Sequence, residues 1–210
     1  MMPVSRLGLE FFEGLEKIDG SIAAVVAAGR CRHCEGPLHS ANYRRKPRGG
    51  LLADAGEVST LRHSLCCGRR GCRKRSLPPS LRFLGRRVYL EAAVILGSVL
   101  AAAQTCLRVA VSVAGVPART LRRWGAWWRD VFPASLTWTE LRARLVPPAP
   151  DEADLPGSLL QHLQSRCVGA RDPIGESVAL AARYLAPMTT QSVADGARFV
   201  RDAFLPTAAG

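Results

Sequence analysis

Apolar positions recur at helical intervals over most of the chain, with a polar, turn-rich stretch between the first and second runs. Leu7, Leu9, Phe11, Phe12 and Leu15 predict a short helix, weakened by Gly14. Asp19 stands where an N-cap would start a second helix over 22–28. Residues 57–65 read as a strand. From 89 to 103, Ala, Val, Leu and Ile dominate, which predicts a buried helix. A short apolar helix over 107–114 ends at Gly115, and Pro117 fits the first turn of the helix that follows. At about 100° per residue, Leu121, Trp124, Trp127, Trp128 and Val131 fall on one side of that last helix. Arg119, Arg122, Arg123, Ala126 and Arg129 fall on the other. The tryptophan side reads as core. The proline-rich, acidic stretch 146–156 reads as a stiff linker, and 158–164 and 176–185 as amphipathic helices. These suit a partner-binding or dimerising unit, or a cap folded back on the core.

Composition narrows the class. The chain has 210 residues and 48% hydrophobic content, enough for real cores. The longest uncharged apolar run, 92–103, is too short to cross a bilayer, and the start lacks a signal-peptide layout, so a cytoplasmic location is expected. The formal charge of +12 is uneven: residues 31–90 carry +11 and 118–145 carry +4, while the rest is neutral or slightly acidic. A polyanion is therefore the expected partner of the middle of the chain. Of the 29 basic residues 26 are Arg, whose planar fork suits phosphate and base edges.

The densest charge surrounds the cysteines. Cys31-x2-Cys34 is answered by Cys66-Cys67-Gly68-Arg69-Arg70-Gly71-Cys72. Two thiolate pairs can complete a tetrahedral Zn²⁺ shell. Neighbouring residues of a strand face opposite ways, so only Cys66 or Cys67 can join Cys72. Cys67 is favoured, because Leu65 then shares its inward face and Gly68 and Gly71 ease the loop's closure. The expected metal ligands are Cys31, Cys34, Cys67 and Cys72. His33, His39 and His63 are substitutes better explained as surface residues. Between the pairs lies a basic arm bearing Tyr43, Arg44, Arg45, Lys46 and Arg48, suited to phosphates or a minor groove. Arg73 and Arg75 follow the second pair. Cys106 and Cys167 read as ordinary buried thiols.

The Gly115-Val-Pro-x-x-Thr-Leu-x-Arg-Trp124 stretch resembles the turn and recognition helix of the helix-turn-helix domains of bacterial transposases and related regulators. The cysteine pattern is similar to the zinc ribbons that precede such domains in insertion-sequence proteins. The similarity covers residues 31–130. It implies a small β zinc ribbon and a trihelical helix-turn-helix core, which with the helical C-terminal tail read from its apolar pattern make a mainly α fold. The segments expected are 1–30 (helical), 31–80 (ribbon), 81–145 (helix-turn-helix) and 146–210 (linker and tail). Double-stranded DNA is the implied partner, through Arg44, Arg45, Lys46, Arg48, Arg73, Arg75, Arg119, Arg122, Arg123 and Arg129.

The acids of the tail show no framework for two-metal phosphoryl transfer, so no catalytic site is expected. The chain reads as an accessory or targeting factor of a mobile element. The alternatives are a transcriptional regulator, a subunit of a recombinase or transposase, and a scaffold for RNA or another protein. The tail is expected to contact a transposase or other protein, and a homo-oligomer is compatible with it.

Overall fold

A computed structural model describes residues 7–48, 60–84, 89–103, 107–145 and 147–189. The described chain is mainly helical with small antiparallel sheets. The expected strand's first residues, 57–59, the arm's end at 49–50, Cys106 and the chain beyond 189 lie outside the described residues.

The N-terminal pattern resolves into one helix, α1 (Leu9–Ala28), where two were expected. Its inward stripe is Phe12, Leu15, Asp19, Ile22 and Ala23, which run on at helical spacing through the supposed boundary. Asp19 is not a cap. Its side chain is 1% exposed, and it accepts from the Ser80 hydroxyl (2.6 Å), the Leu81 N–H (2.6 Å) and Arg82 Nε (2.9 Å). Burial of a carboxylate is tolerated when a charged partner and donors satisfy its oxygens. That condition was met by residues some sixty positions away, invisible to local capping rules.

Next come five short strands. β1 (Leu38–Ser40), β4 (Leu65–Cys67) and β5 (Arg75–Ser76) form a three-stranded antiparallel sheet with β4 central. β2 (Tyr43–Arg44) pairs with β3 (Leu61–Arg62). The expected strand is thus two short ones separated by His63 and Ser64. Asn42 Oδ1 accepts the Ser64 N–H at 3.0 Å, and the Ala41 N–H reaches the Ser64 carbonyl at 2.7 Å, so pairing passes from one sheet to the other. The basic arm is not free over its described length. Tyr43 and Arg44 are in β2, the Arg45 N–H donates to Thr60, and Arg48 bridges Tyr89.

The helical body follows. α2 (Glu91–Ala103), α3 (Leu107–Ala114) and α4 (Ala118–Ala126) all contact one another. Gly115 (φ 58°) makes the corner between α3 and α4 in the left-handed region that glycine adopts without penalty. Ala110, Ala114, Val116, Leu121 and Trp124 bury together against Val94 of α2. The axes of α2 and α4 come close because Gly97 has no side chain: a Cβ there would stand 3.2 Å from the Trp124 ring and 3.4 Å from Leu121.

Beyond α4 the helix widens into one π turn, Trp127–Val131, closed by the Phe132 N–H on the Trp127 carbonyl (2.8 Å). The extra residue in that turn changes what faces inward. Phe132 is fully buried, whereas Val131, expected in the core, is 53% exposed. Trp128 and Phe132 meet edge to face at 4.8 Å, and Phe132 passes the contact on to Trp138 of α5 (Leu136–Arg142).

The segment expected as a linker packs closely. It contains a 3-10 turn over Glu152–Asp154, with Glu152 Oε1 accepting from Trp138 Nε1 (2.8 Å) and Arg142 Nη1 (2.6 Å), and Leu155 is buried. α6 (Gly157–Gln164) and α7 (Pro173–Leu185) then fold back as a cap. Leu159, Leu163, Val178, Ala181 and Leu185 join Phe12, Ile95 and Trp128 in the largest apolar cluster. After α7, Thr189 Oγ1 accepts the Ser80 N–H, so the cap also reaches the Asp19 network. Among the described residues no helix is long and apolar enough to cross a membrane.

Candidate metal centre and nucleic-acid interface

Two backbone turns build the cysteine cluster. In the first, the Cys34 and Glu35 N–H groups both reach the Cys31 carbonyl, and Cys31 N–H returns to Gly36, closing a tight loop. Glu35 takes a positive φ of 58° to make the reversal. Gly36 then passes under the sulfurs: a Cβ there would lie 3.0 Å from Cys67 Sγ and 3.4 Å from Cys34 Sγ. The second turn joins β4 to β5, with Gly71 (φ 87°) and Arg73 (φ 47°) in the left-handed region. Gly68 is equally constrained, since a side chain there would run into the His39 imidazole.

These turns bring Cys31, Cys34, Cys67 and Cys72 together, with all four sulfurs within 4.8 Å of one another. Cys31 and Cys72 are 3.8 Å apart and Cys34 and Cys67 3.5 Å. The four could hold a metal ion. A tetrahedral M–S shell with bonds near 2.3 Å has S···S edges of about 3.8 Å, which the cluster nearly meets as it stands. Backbone N–H groups support the sulfurs as well: the Arg69 N–H donates to Cys67 Sγ at 3.4 Å. The Gly36 N–H is the main influence that brings the Cys34 thiol down to about 7, with the other three thiols contributing. At Cys67 the Arg69 N–H acts in the same direction, but burial and the neighbouring thiols prevail and push it up to about 12. Four thiols this close cannot all ionise without a cation between them.

Cys66 points elsewhere. Its thiol lies 3.4 Å from the Arg73 carbonyl, and it pairs with His39 and Arg75 on the other face of the sheet. The alternation of a strand thus separates two adjacent cysteines, as the spacing argument required. His33, His39 and His63 are not in the cluster; His63 instead meets Glu16 of α1 at 3.1 Å. Cys167 is half-buried, donates to the Leu163 carbonyl, and has its thiol pushed up by burial.

The basic residues divide into several settings. Arg44, Lys46, Arg48, Arg73 and Arg75 are exposed, and Arg75 lies over the exposed Tyr43 ring at 5.9 Å. Arg45 is half-buried over Phe83 (5.2 Å), a structural setting that its sequence context does not reveal. On α4, Arg119, Arg122 and Arg123 are all exposed while Leu121 and Trp124 are buried, the division that helical spacing predicts. Arg129, in the π turn, pairs with its neighbour Asp130 at 3.1 Å.

Two further basic residues were not singled out in the sequence. Arg69 Nη1 donates to the Cys34 carbonyl (2.9 Å) and so ties one cysteine turn to the other. Arg62 is 1% exposed and donates to the Pro78 carbonyl at 2.7 Å. Burial lowers its basicity, partly opposed by Asp19. Neither has a sequence signal that separates it from the surrounding arginines.

No family model matches the chain, and no curated protein or solved structure matches it.

Proposed function

We propose that this chain is a zinc-stabilised, duplex-DNA-binding protein that serves as an accessory or targeting factor of a mobile element and has no catalytic site of its own. The observation that carries the reading is α4: every arginine on it is exposed and its large apolar residues, Leu121 and Trp124, are buried, directly after a glycine corner from α3. A helix of that kind can lie in a major groove with its cationic face toward phosphates and base edges. In this reading α3, the Gly115 corner and α4 are a helix-turn-helix unit, and the β1–β4–β5 sheet with its two cysteine turns is a zinc ribbon. The mobile-element assignment rests on the resemblance of these two motifs to insertion-sequence proteins.

Zn²⁺ held by Cys31, Cys34, Cys67 and Cys72 would supply rigidity, since all four positions are taken by protein and none is left for water. Four thiolates and one Zn²⁺ sum to a charge of about −2. Part of the basic charge at Arg69, Arg70, Arg73 and Lys74 offsets that anion, and the remainder faces the nucleic acid. Arg119, Arg122 and Arg123 would contact bases or phosphates, and Arg44, Lys46, Arg48 and Arg75 the backbone. Arg45 and Arg129 contribute less, because one is stacked on Phe83 and the other paired with Asp130. Such a protein would work in the cytoplasm.

The test is a titration of labelled duplex followed by fluorescence anisotropy as salt rises. The affinity falls on a log–log plot with a slope of about −0.9 per phosphate neutralised, and Arg122→Ala or Arg123→Ala each lowers that slope by about one. Absence of binding at low salt, or a salt-independent affinity, would overturn the reading. Equal affinity for RNA of the same length would favour the scaffold alternative.

A further inference from the structure

Between α2, the α4–π helix and the turn at 153–156 lies a cavity of about 360 Å³, within the size range of small-molecule sites. Its α2 wall is Ser98, Ala101 and Ala102. On α4 the hollow stays open at Gly125, where a Cβ would meet nothing within 4 Å. Arg122 and Arg129 stand on one flank, and Asp154 with Leu155 and Pro156 on the opposite one.

Two features separate this hollow from a packing defect. First, opposite charges face it without closing it: among the described residues no ion pair joins Asp154 to Arg122 or Arg129. Second, the polar group on its floor is already spoken for. Ser98 Oγ donates to the Val94 carbonyl (2.7 Å) and accepts from Trp128 Nε1 (3.2 Å), so recognition falls to the charged flanks and the apolar walls.

We propose that this cavity binds a small organic carboxylate with a short apolar body and a hydrogen-bond donor at its far end. The carboxylate meets the Arg122 guanidinium, whose fork matches it two bonds at a time, while Arg129, held by Asp130 at 3.1 Å, only flanks the site. The apolar body lies along Ala101, Ala102, Leu121 and Leu155. The donor meets the Asp154 carboxylate, which sits at the entry to α6 beside Gly157. An inorganic anion satisfies the arginines alone and leaves the walls and Asp154 without a partner.

The site does not depend on the DNA-binding reading. Where both hold, a bound carboxylate engages Arg122 and duplex affinity falls as the cavity fills. The experiment is isothermal titration of the full chain with 4-aminobenzoate, benzoate and inorganic phosphate at constant ionic strength. The expected order is 4-aminobenzoate, then benzoate several-fold weaker, then phosphate. Asp154→Asn narrows the gap between the first two. Gly125→Phe fills the hollow and Arg122→Gln removes the cation left unpaired among the described residues, and each weakens 4-aminobenzoate at least tenfold with the helical circular dichroism retained. No saturable binding of 4-aminobenzoate, or binding that both of the last variants leave unchanged, overturns the proposal. A chain that binds 4-aminobenzoate but no duplex would instead overturn the DNA reading and leave the cavity's assignment intact.

Discussion

The cysteine module and the helical body of this protein are held together by different physics. Among the described residues of 31–76, Leu65 is the one buried hydrocarbon side chain, and every strand is two or three residues long. That is too little apolar burial to fix a fold. Its shape comes from tight turns that aim four sulfurs at one point. The helical body buries Trp124, Trp128, Phe132, Trp138, Ile95 and several leucines, and its stability comes from non-directional burial. The difference teaches that the first region depends on what occupies its sulfurs, and the second on how well its aromatic residues fit.

The sharpest way to break this comparison is to remove the zinc proposed for the four cysteines. Structural zinc contributes on the order of 10 kcal/mol in isolated finger peptides. With Cys67→Ser, or with a strong chelator, the proposed zinc-stabilised reading predicts that one zinc per chain is lost. Amide hydrogen exchange over 38–40 and 65–67 then accelerates while the helical circular dichroism stays. Cys66→Ser keeps the metal, because that thiol lies on the other face. Loss of zinc with Cys66 and retention with Cys67 would reverse the assignment.

The counterpart in the helical body is Trp128→Ala, which leaves a cavity beside Phe132 and costs roughly 3–5 kcal/mol. Chemical denaturation should show that loss with zinc content unchanged. Asp19→Ala probes the joint between the two regions. It removes the carboxylate paired with Arg82, whose guanidinium is wholly buried and also donates to the Leu61 carbonyl at 2.8 Å. A cost of about 3–5 kcal/mol is expected for a buried pair broken on one side. If the two regions were independent, the loss would appear in the exchange of one alone; coupling through Asp19 predicts both.

The smallest effect concerns pH. The Trp138 indole N–H and then Arg142 hold the Glu152 carboxyl below its ordinary range. A lowered folded-state value means that its contribution is fully present above the unfolded value of about 4.3, and is lost as pH falls through the folded one. Glu152→Gln should therefore flatten the acid limb of a plot of melting temperature against pH and change little at neutrality.

How far each region could be read from the sequence follows from the same difference. The cysteine cluster was readable because the alternation of a strand decides between Cys66 and Cys67 without reference to the rest of the fold. The exposed and buried sides of α4 were readable for the same reason, being consequences of helical spacing. Val131 was misplaced because a π turn inserts one residue, which no periodicity announces. Asp19 was misplaced because Asp-Gly-Ser has the local chemistry of a cap, whereas its partners come from residues 80–82. The proline-rich 146–156 stretch had the composition of a spacer, and its contacts with Trp138 and Arg142 are tertiary.

The sequence by itself determined which residues of α4 are inward and which thiols can converge, because both follow from backbone geometry within a few residues. Only the tertiary structure decided that α1 is continuous across a buried carboxylate, that α6 and α7 fold back as a cap, and that Arg122, Arg129 and Asp154 line one cavity. Those outcomes depend on which distant groups satisfy a buried charge or cover an apolar face, and that choice is made only when the whole chain packs.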